Sequence, residues 1–403
     1  MNKRNYILAT ILVLVLIGLI VFYFTSSQNP TNNGGVVNTF KSFFPFGGDE
    51  VINEDRPIVS DEDNNQDNTN TDITKKLRKL SSEPVSGAGT MDVKAGTVVR
   101  YIEKATGHIF EVELFSPRQG RISNTTIPKV YDAIWGNKNN SLIARYLKDD
   151  DNTIDTFSLT VKETSTTTEN TITGIAFPGR VTDVSVFDTS VFFIEQTQNG
   201  SNGYISNWSG GNKKLIWNSA VNELLSQYVN KNTVALTTKP EENTFGYLYF
   251  VNTNNGTYKK VLGDIKGLST LVNQDGTKIV YTDLANDFVF KIYDSNKKTS
   301  LSVTPETFPE KCVWTSKSII YCAVPKESLS AGSLTMWYRG INQYTDDIWK
   351  YDLINNVSEI VSDLKNDGGE MIDVTKPLLS QNEQYLVFIN KIDNSLWSLD
   401  LTK

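Results

Sequence analysis

One phrase returns along this chain: an aromatic or aliphatic strand ending in an acidic or amide residue, a polar turn, then a second short strand ending in Ser, Thr or Gly. It is clearest in TDDIWKYDLINNVSEIVSD, Thr345 to Asp363. It recurs as FVFKIYDSNKKTSLSVTP (Phe288 to Pro305), YLYFVNTNNGTYKKVLGD (Tyr247 to Asp264) and HIFEVELFSPRQGRISN (His108 to Asn124). The last copy, SLWSLDLTK at Ser395 to Lys403, begins the phrase and stops, so it lacks its second strand. A ring of repeated sheets closes well when the two ends of the array share one blade. LRKLSS, Leu77 to Ser82, has the polar start, apolar middle and hydroxyl end of GRISN, SLSVTP and SEIVSD, and is the expected outermost strand of the last blade.

A repeat of roughly 40 residues accounts for the length of 403 residues without a second core. Seven units can be drawn: Val85 to Ser123, Val130 to about Ile172, Val181 to Trp217, Leu224 to Leu262, Leu268 to Val303, Cys312 to Val361, and Asp373 to Leu401 closed by Leu77 to Ser82. Units two and three are diffuse, which leaves six or eight as alternative counts. The strands are apolar on both faces, as expected where each sheet is sandwiched between two others. The 17 Tyr, 19 Phe and 7 Trp favour strands. The expected fold is therefore an all-β propeller of seven four-stranded blades over residues 75–403.

The repeats resemble the WD40-like or TolB-type propeller repeats of bacterial envelope proteins. The resemblance is carried by VNQDGTKIVYTD at Val272 to Asp283, KIYD at Lys291 to Asp294 and LWSLDL at Leu396 to Leu401, and it covers about residues 77 to 403. It implies a fold and no particular activity, because such propellers host binding, scaffolding and enzymatic roles alike. The first two units depart from the usual Asp-Gly turn, with DVKAGT and GNKNNS in its place.

Ahead of the repeats, Ile7 to Phe24 is an uncharged run about 27 Å long as a helix, close to the hydrocarbon thickness of a bilayer. Lys3 and Arg4 precede it, and the next basic residue is Lys41. The positive-inside rule then gives a cytoplasmic tail at 1–6, a transmembrane signal-anchor at 7–24, a disordered linker at 25–74 and an extracytoplasmic propeller, single-pass in the cell membrane. The competing reading is a cleaved signal peptide, against which no A-x-A-like site follows the run. Within the linker, Phe40 to Phe46 is an aromatic island read as lying on the membrane interface, with a docking motif as its other reading.

A net charge of -7 and a pI near 5.1 argue against a nucleic-acid partner. The two cysteines, Cys312 and Cys322, are equidistant from Lys317 in an expected hairpin and would face each other across it, which suits a disulfide outside the cytoplasm. His108 is the sole histidine and no GxSxG elbow exists, so a Ser-His-Asp triad has no support. KDDDNTID supplies Asp149, Asp150, Asp151 and Asp155; Asp149, Asp151 and Asp155 are the nearest approach to a metal-binding set, but the EF-hand glycine is missing. No metal or cofactor is expected.

The longest departure from the repeat is Val324 to Asp347, between the second and third strands of unit six, on the face where propellers usually bind ligands. Its Met336, Trp337, Tyr338, Arg339 and Tyr344 are types favoured at interfaces, and form the expected partner-binding set, or a lid packed for stability alone. Two functions follow. One is a membrane-anchored, non-catalytic propeller that binds or scaffolds an envelope protein, peptide or glycan. The alternative is a propeller hydrolase or lyase using carboxylates and arginines at the central mouth, with Asp183, Glu195, Arg145 and Arg180 as candidates. A cluster of at least three charged side chains in one top-face pocket, with raised carboxylate pKa values, would favour the second.

Overall fold

The computed structural model describes residues 72–403, apart from 124, 149, 151, 163–170, 178 and 317. Within them the chain forms seven four-stranded antiparallel sheets, each paired in sequence order except the last, and together they make a seven-bladed propeller. The inner strands are Val85–Val93, Val130–Gly136, Val181–Phe187, Leu224–Asn230, Thr270–Val272, Cys312–Trp314 and Val374–Leu379, for blades one to seven. Blade seven is completed by Leu77–Lys79, which pairs antiparallel with Leu396–Asp400 through Leu77 opposite Leu399, Arg78 opposite Ser398 and Lys79 opposite Trp397. The strand missing from the final repeat is thus supplied from the front of the domain.

The core lies between the blades. Seven apolar layers alternate with the seven sheets, one for each neighbouring pair of blades, which is why strands buried on both faces read as continuous apolar runs. Near the axis the blades approach closely: a Cβ on Gly87 would stand 2.0 Å from the Ala133 carbonyl oxygen, so only glycine lets the inner strands of blades one and two meet there.

The hairpin expected in blade six is present, with Cys312 opposite Cys322 and a disulfide between them. The insertion carries a short helix, Ser333–Tyr338, and a second helix, Leu364–Gly368, follows the outer strand of that blade.

The expectation of a spanning helix before the propeller is corrected. Among the described residues no helix is long and apolar enough to cross a membrane. The two helices have six and five residues, against the roughly 20 that a bilayer demands. The stretch 7–24, the tail 1–6 and the Phe40 to Phe46 island lie outside the described residues. The single-pass topology and the cell-membrane localisation that rested on that helix are not carried forward.

Candidate functional site

Consecutive strands in each blade run antiparallel, so the start of every inner strand, the blade-to-blade connections and the loop between strands two and three share one face. On this face the inner strands of blades one, two, three and seven carry the same irregularity. Pairing with the second strand skips between Val85 and Gly87, Val130 and Asp132, Val181 and Asp183, and Thr375 and Leu378. A bulge at the end of a strand re-aims the side chains beside it. Here it brings Ser86, Asp132, Asp183 and Lys376 to the axial mouth, with Lys376 at a φ of 51°, a left-handed value costly for a side chain of this kind.

Polar contacts stitch these bulges to one another. Lys376 Nζ donates to the Ser86 carbonyl at 2.8 Å and to Asp132 Oδ1. Ser86 Oγ donates to the Val130 carbonyl. Arg145, buried, lies 3.6 Å from Asp132 and donates to the carbonyls of Val181 at 3.4 Å and Thr182 at 3.0 Å, reaching into blade three. Asp183 Oδ2 accepts from the Ser226 main-chain N–H and Oγ, both at 2.6 Å, reaching into blade four.

The two mouth carboxylates differ in proton affinity. Burial pushes the Asp183 carboxyl up to about 6, against the Ser226 hydrogen bonds and the Arg145 charge and with help from the Asp132 charge. Burial acts in the same sense on Asp132, but Lys376 and Arg145 beside it outweigh that cost and hold it below the ordinary carboxylate range. Neighbouring Tyr131 is pushed up to about 12, chiefly by burial. The charge of Asp183 reaches both Tyr131 and Tyr338, so all four groups share one field.

The insertion divides into an inward and an outward set. Trp337 is 3% exposed and Tyr344 4%, whereas Met336, Tyr338 and Arg339 are exposed. Trp337 Nε1 donates to both Asp373 oxygens, at 2.9 and 3.1 Å, and its ring packs tilted against Phe308, with centroids 5.5 Å apart, and has Lys391 Nζ 4.8 Å from its centre. Beneath it, fully buried Lys311 bridges Asp346 and Asp373. Tyr338, at the helix end, donates its hydroxyl to Glu310 in the connection leading to the inner strand of blade six. Burial raises the Glu310 carboxyl, against hydrogen bonds from Ser269 and Tyr338.

Of the four mouth candidates named from sequence, Asp183 and Arg145 converge. Glu195 instead pairs with Lys213 at 3.2 Å, and Arg180 is exposed on a connection between blades. His108 sits at a turn of blade one with Nε2 3.3 Å from Thr126 Oγ1, its pKa lowered by burial. Asp155 is occupied by Lys148 at 3.0 Å, and Asp149 and Asp151 lie outside the described residues. Among the described residues no three His, Cys, Asp or Glu side chains are grouped to hold a metal. Sequence reasoning missed Asp132, Lys376, Ser226 and Glu310. The signal available was the pair of triplets opening the inner strands of blades two and three, Val130-Tyr131-Asp132 and Val181-Thr182-Asp183, where Val anchors the strand and the third residue reaches the mouth.

With no spanning helix among the described residues, the reading as a membrane-anchored, non-catalytic binding propeller loses its premise. The mouth gathers Asp132, Asp183, Arg145 and Lys376, with one carboxyl raised and the other lowered, which favours the catalytic alternative over the anchored one.

No protein-family model matches the chain, and no curated protein does. Among solved structures, an oligogalacturonate lyase from Vibrio parahaemolyticus is similar over 79% of this chain and 97% of its own, at 10% identity and a TM-score of 0.47. An oligogalacturonate lyase in complex with manganese covers 82% of this chain and 100% of its own, at 11% identity and a TM-score of 0.48. TolB from Acinetobacter baumannii covers 78% of each chain at 10% identity, with a TM-score of 0.42. The chain resembles TolB-type and WD40-type propellers in fold, and similarity of this size transfers no activity.

Proposed function

We propose that the protein is an acid–base enzyme of the hydrolase or lyase class, acting at the axial mouth on a polar glycan or peptide chain. The observation that carries this reading is the pair of mouth carboxylates with opposed proton affinities, Asp183 raised to about 6 and Asp132 lowered. Two carboxylates whose surroundings push them apart serve as proton donor and permanent anion in one site. Asp183 is the proton donor, held by Ser226. Asp132 is the anion, kept ionised by Lys376 and Arg145. Arg145 is a positioning residue, because its two terminal guanidinium nitrogens face Asp132 and the carbonyls of the blade-three bulge. Met336, Tyr338 and Arg339, exposed on the insertion, form the rim that meets the substrate. Residues 75–403 are the unit that carries this activity.

The test is incubation with panels of glycans and peptides, reading new reducing ends, unsaturated products or new amino termini. Cleavage by the native protein should fall about 100- to 10,000-fold in Asp183→Asn, the usual worth of a positioned proton donor. It should also decline in the native protein as pH rises through about 6, where Asp183 loses its proton. Full activity in both Asp183→Asn and Asp132→Asn would contradict the reading.

A further inference from the structure

Between the inner strands of blades four and five and the connection into blade six the mouth opens into a cavity of about 230 Å³. That is below the usual size of a pocket for a whole drug-sized molecule, so it holds one group of a larger ligand. Its polar lining includes Ser226, Thr237, Ser269, Thr270, Glu310 and Tyr338, and among the described residues no Lys or Arg lines it. The hydrogens of this lining are mostly spent inward. Ser226 Oγ donates its one hydrogen to Asp183 and lies 3.0 Å from Ser185 Oγ, from which it accepts, Ser269 Oγ donates to Glu310, and the Tyr338 hydroxyl donates to Glu310 as well. Thr237 and Thr270 bond each other through one of their two hydrogens. Gln227, also in the wall, uses its amide on both main-chain groups of Val272 and keeps one hydrogen.

What remains facing the cavity is therefore chiefly the lone pairs of hydroxyl oxygens, with the Glu310 carboxyl, already accepting from Ser269 and Tyr338, behind them. A hydroxyl keeps acceptor capacity after its single hydrogen is used. An anionic group entering here would bring more acceptors, with no cation in the lining to meet it. A group rich in O–H or N–H would find acceptor lone pairs on the lining hydroxyls of Thr237, Ser269 and Thr270.

The geometry points to this cavity as a subsite selective for a hydrogen-bond-donating group of the substrate, a neutral or amino sugar ring, that rejects carboxylated sugars. The inference rests on the reading of the mouth as a substrate site and narrows its substrate class. The apolar part of the wall, Leu225, Leu271 and Pro309, suits the carbon face of such a ring.

The experiment is calorimetric titration of the full chain with α- and β-linked trisaccharides of glucose, of glucosamine and of glucuronate. The glucose or glucosamine forms should bind at least about tenfold more tightly than the glucuronate form. Which of the two is tighter distinguishes hydroxyl from ammonium as the preferred donor, and either supports the proposal. Glucuronate binding as tightly as the others, or no trisaccharide binding at all, would overturn it. Thr270→Lys places a cation in the cavity wall and should reverse the order, provided its melting temperature matches the native protein. Thr270→Val, which keeps the shape, should weaken the donor sugars without helping glucuronate. An unchanged order in both variants would also overturn the proposal. Binding of neutral sugars without cleavage would remove the acid–base reading and leave the subsite standing, whereas cleavage of uronate chains would do the reverse.

Discussion

Asp183 ties proton affinity to stability. Its folded-state pKa of about 6 lies above the ordinary 3.8, so the stabilisation it brings is complete below about pH 3.8 and is lost as pH rises through 6. Asn in its place keeps an acceptor for Ser226 and never ionises. Asp183→Asn should therefore be more stable than the native protein at pH 8, by about 1 to 3 kcal/mol, with the gap closing below pH 5. Parallel melting curves across pH check this, and the comparison cancels the similar titration of buried Asp346, also pushed up to about 6 by burial. Trp337 offers a second prediction. Its ring is buried against Phe308 and its Nε1 serves Asp373, so Trp337→Ala should cost about 3 to 5 kcal/mol in chemical denaturation. A loss under 1 kcal/mol would mean that the ring is not held as described. The sequence marked Trp337 as a residue of consequence but not its direction, because inward packing and outward presentation draw on the same aromatic types. Asp132 and Lys376 were beyond its reach for another reason: 244 residues separate them, and only closure of the ring makes them neighbours.

The strand Leu77–Lys79 and the hairpin around Cys312 and Cys322 were both legible, since each follows from a local pattern: a copy that ends early, and two cysteines placed symmetrically about a turn. Removing residues up to 82 should leave Leu396–Asp400 as an unpaired edge and uncover Leu399 and Trp397 beside it. Size-exclusion chromatography should then show aggregates in place of monomer, and an unchanged monomer peak would contradict closure by that strand. The disulfide spans a sequence separation of 10, a short loop, so replacing both cysteines by Ala should cost about 2 to 3 kcal/mol of unfolding free energy. The insertion between the second and third strands of blade six was legible in length and place. Its helix was not, because Ser333–Tyr338 is too short to show an amphipathic period and is fixed by Trp337 reaching Asp373 in the next blade.

Ring closure brings chemistry together that no single blade contains. Blade seven supplies Lys376, blade two Asp132 and Arg145, blade three Asp183, blade four Ser226, and the approach to blade six Glu310, all where inner strands begin on one face. The bulges that aim the first of these recur at the same place in four blades, one, two, three and seven. The central claim is that this mouth holds one carboxyl poised to give a proton and another kept ionised. Carbon-detected NMR titration of the aspartate carboxyls, assigned by loss of one signal each in Asp183→Asn and Asp132→Asn, measures it without knowledge of the substrate. The account predicts a midpoint near 6 for Asp183 and one below the ordinary 3.8 for Asp132. Two midpoints together in the ordinary carboxylate range would contradict it.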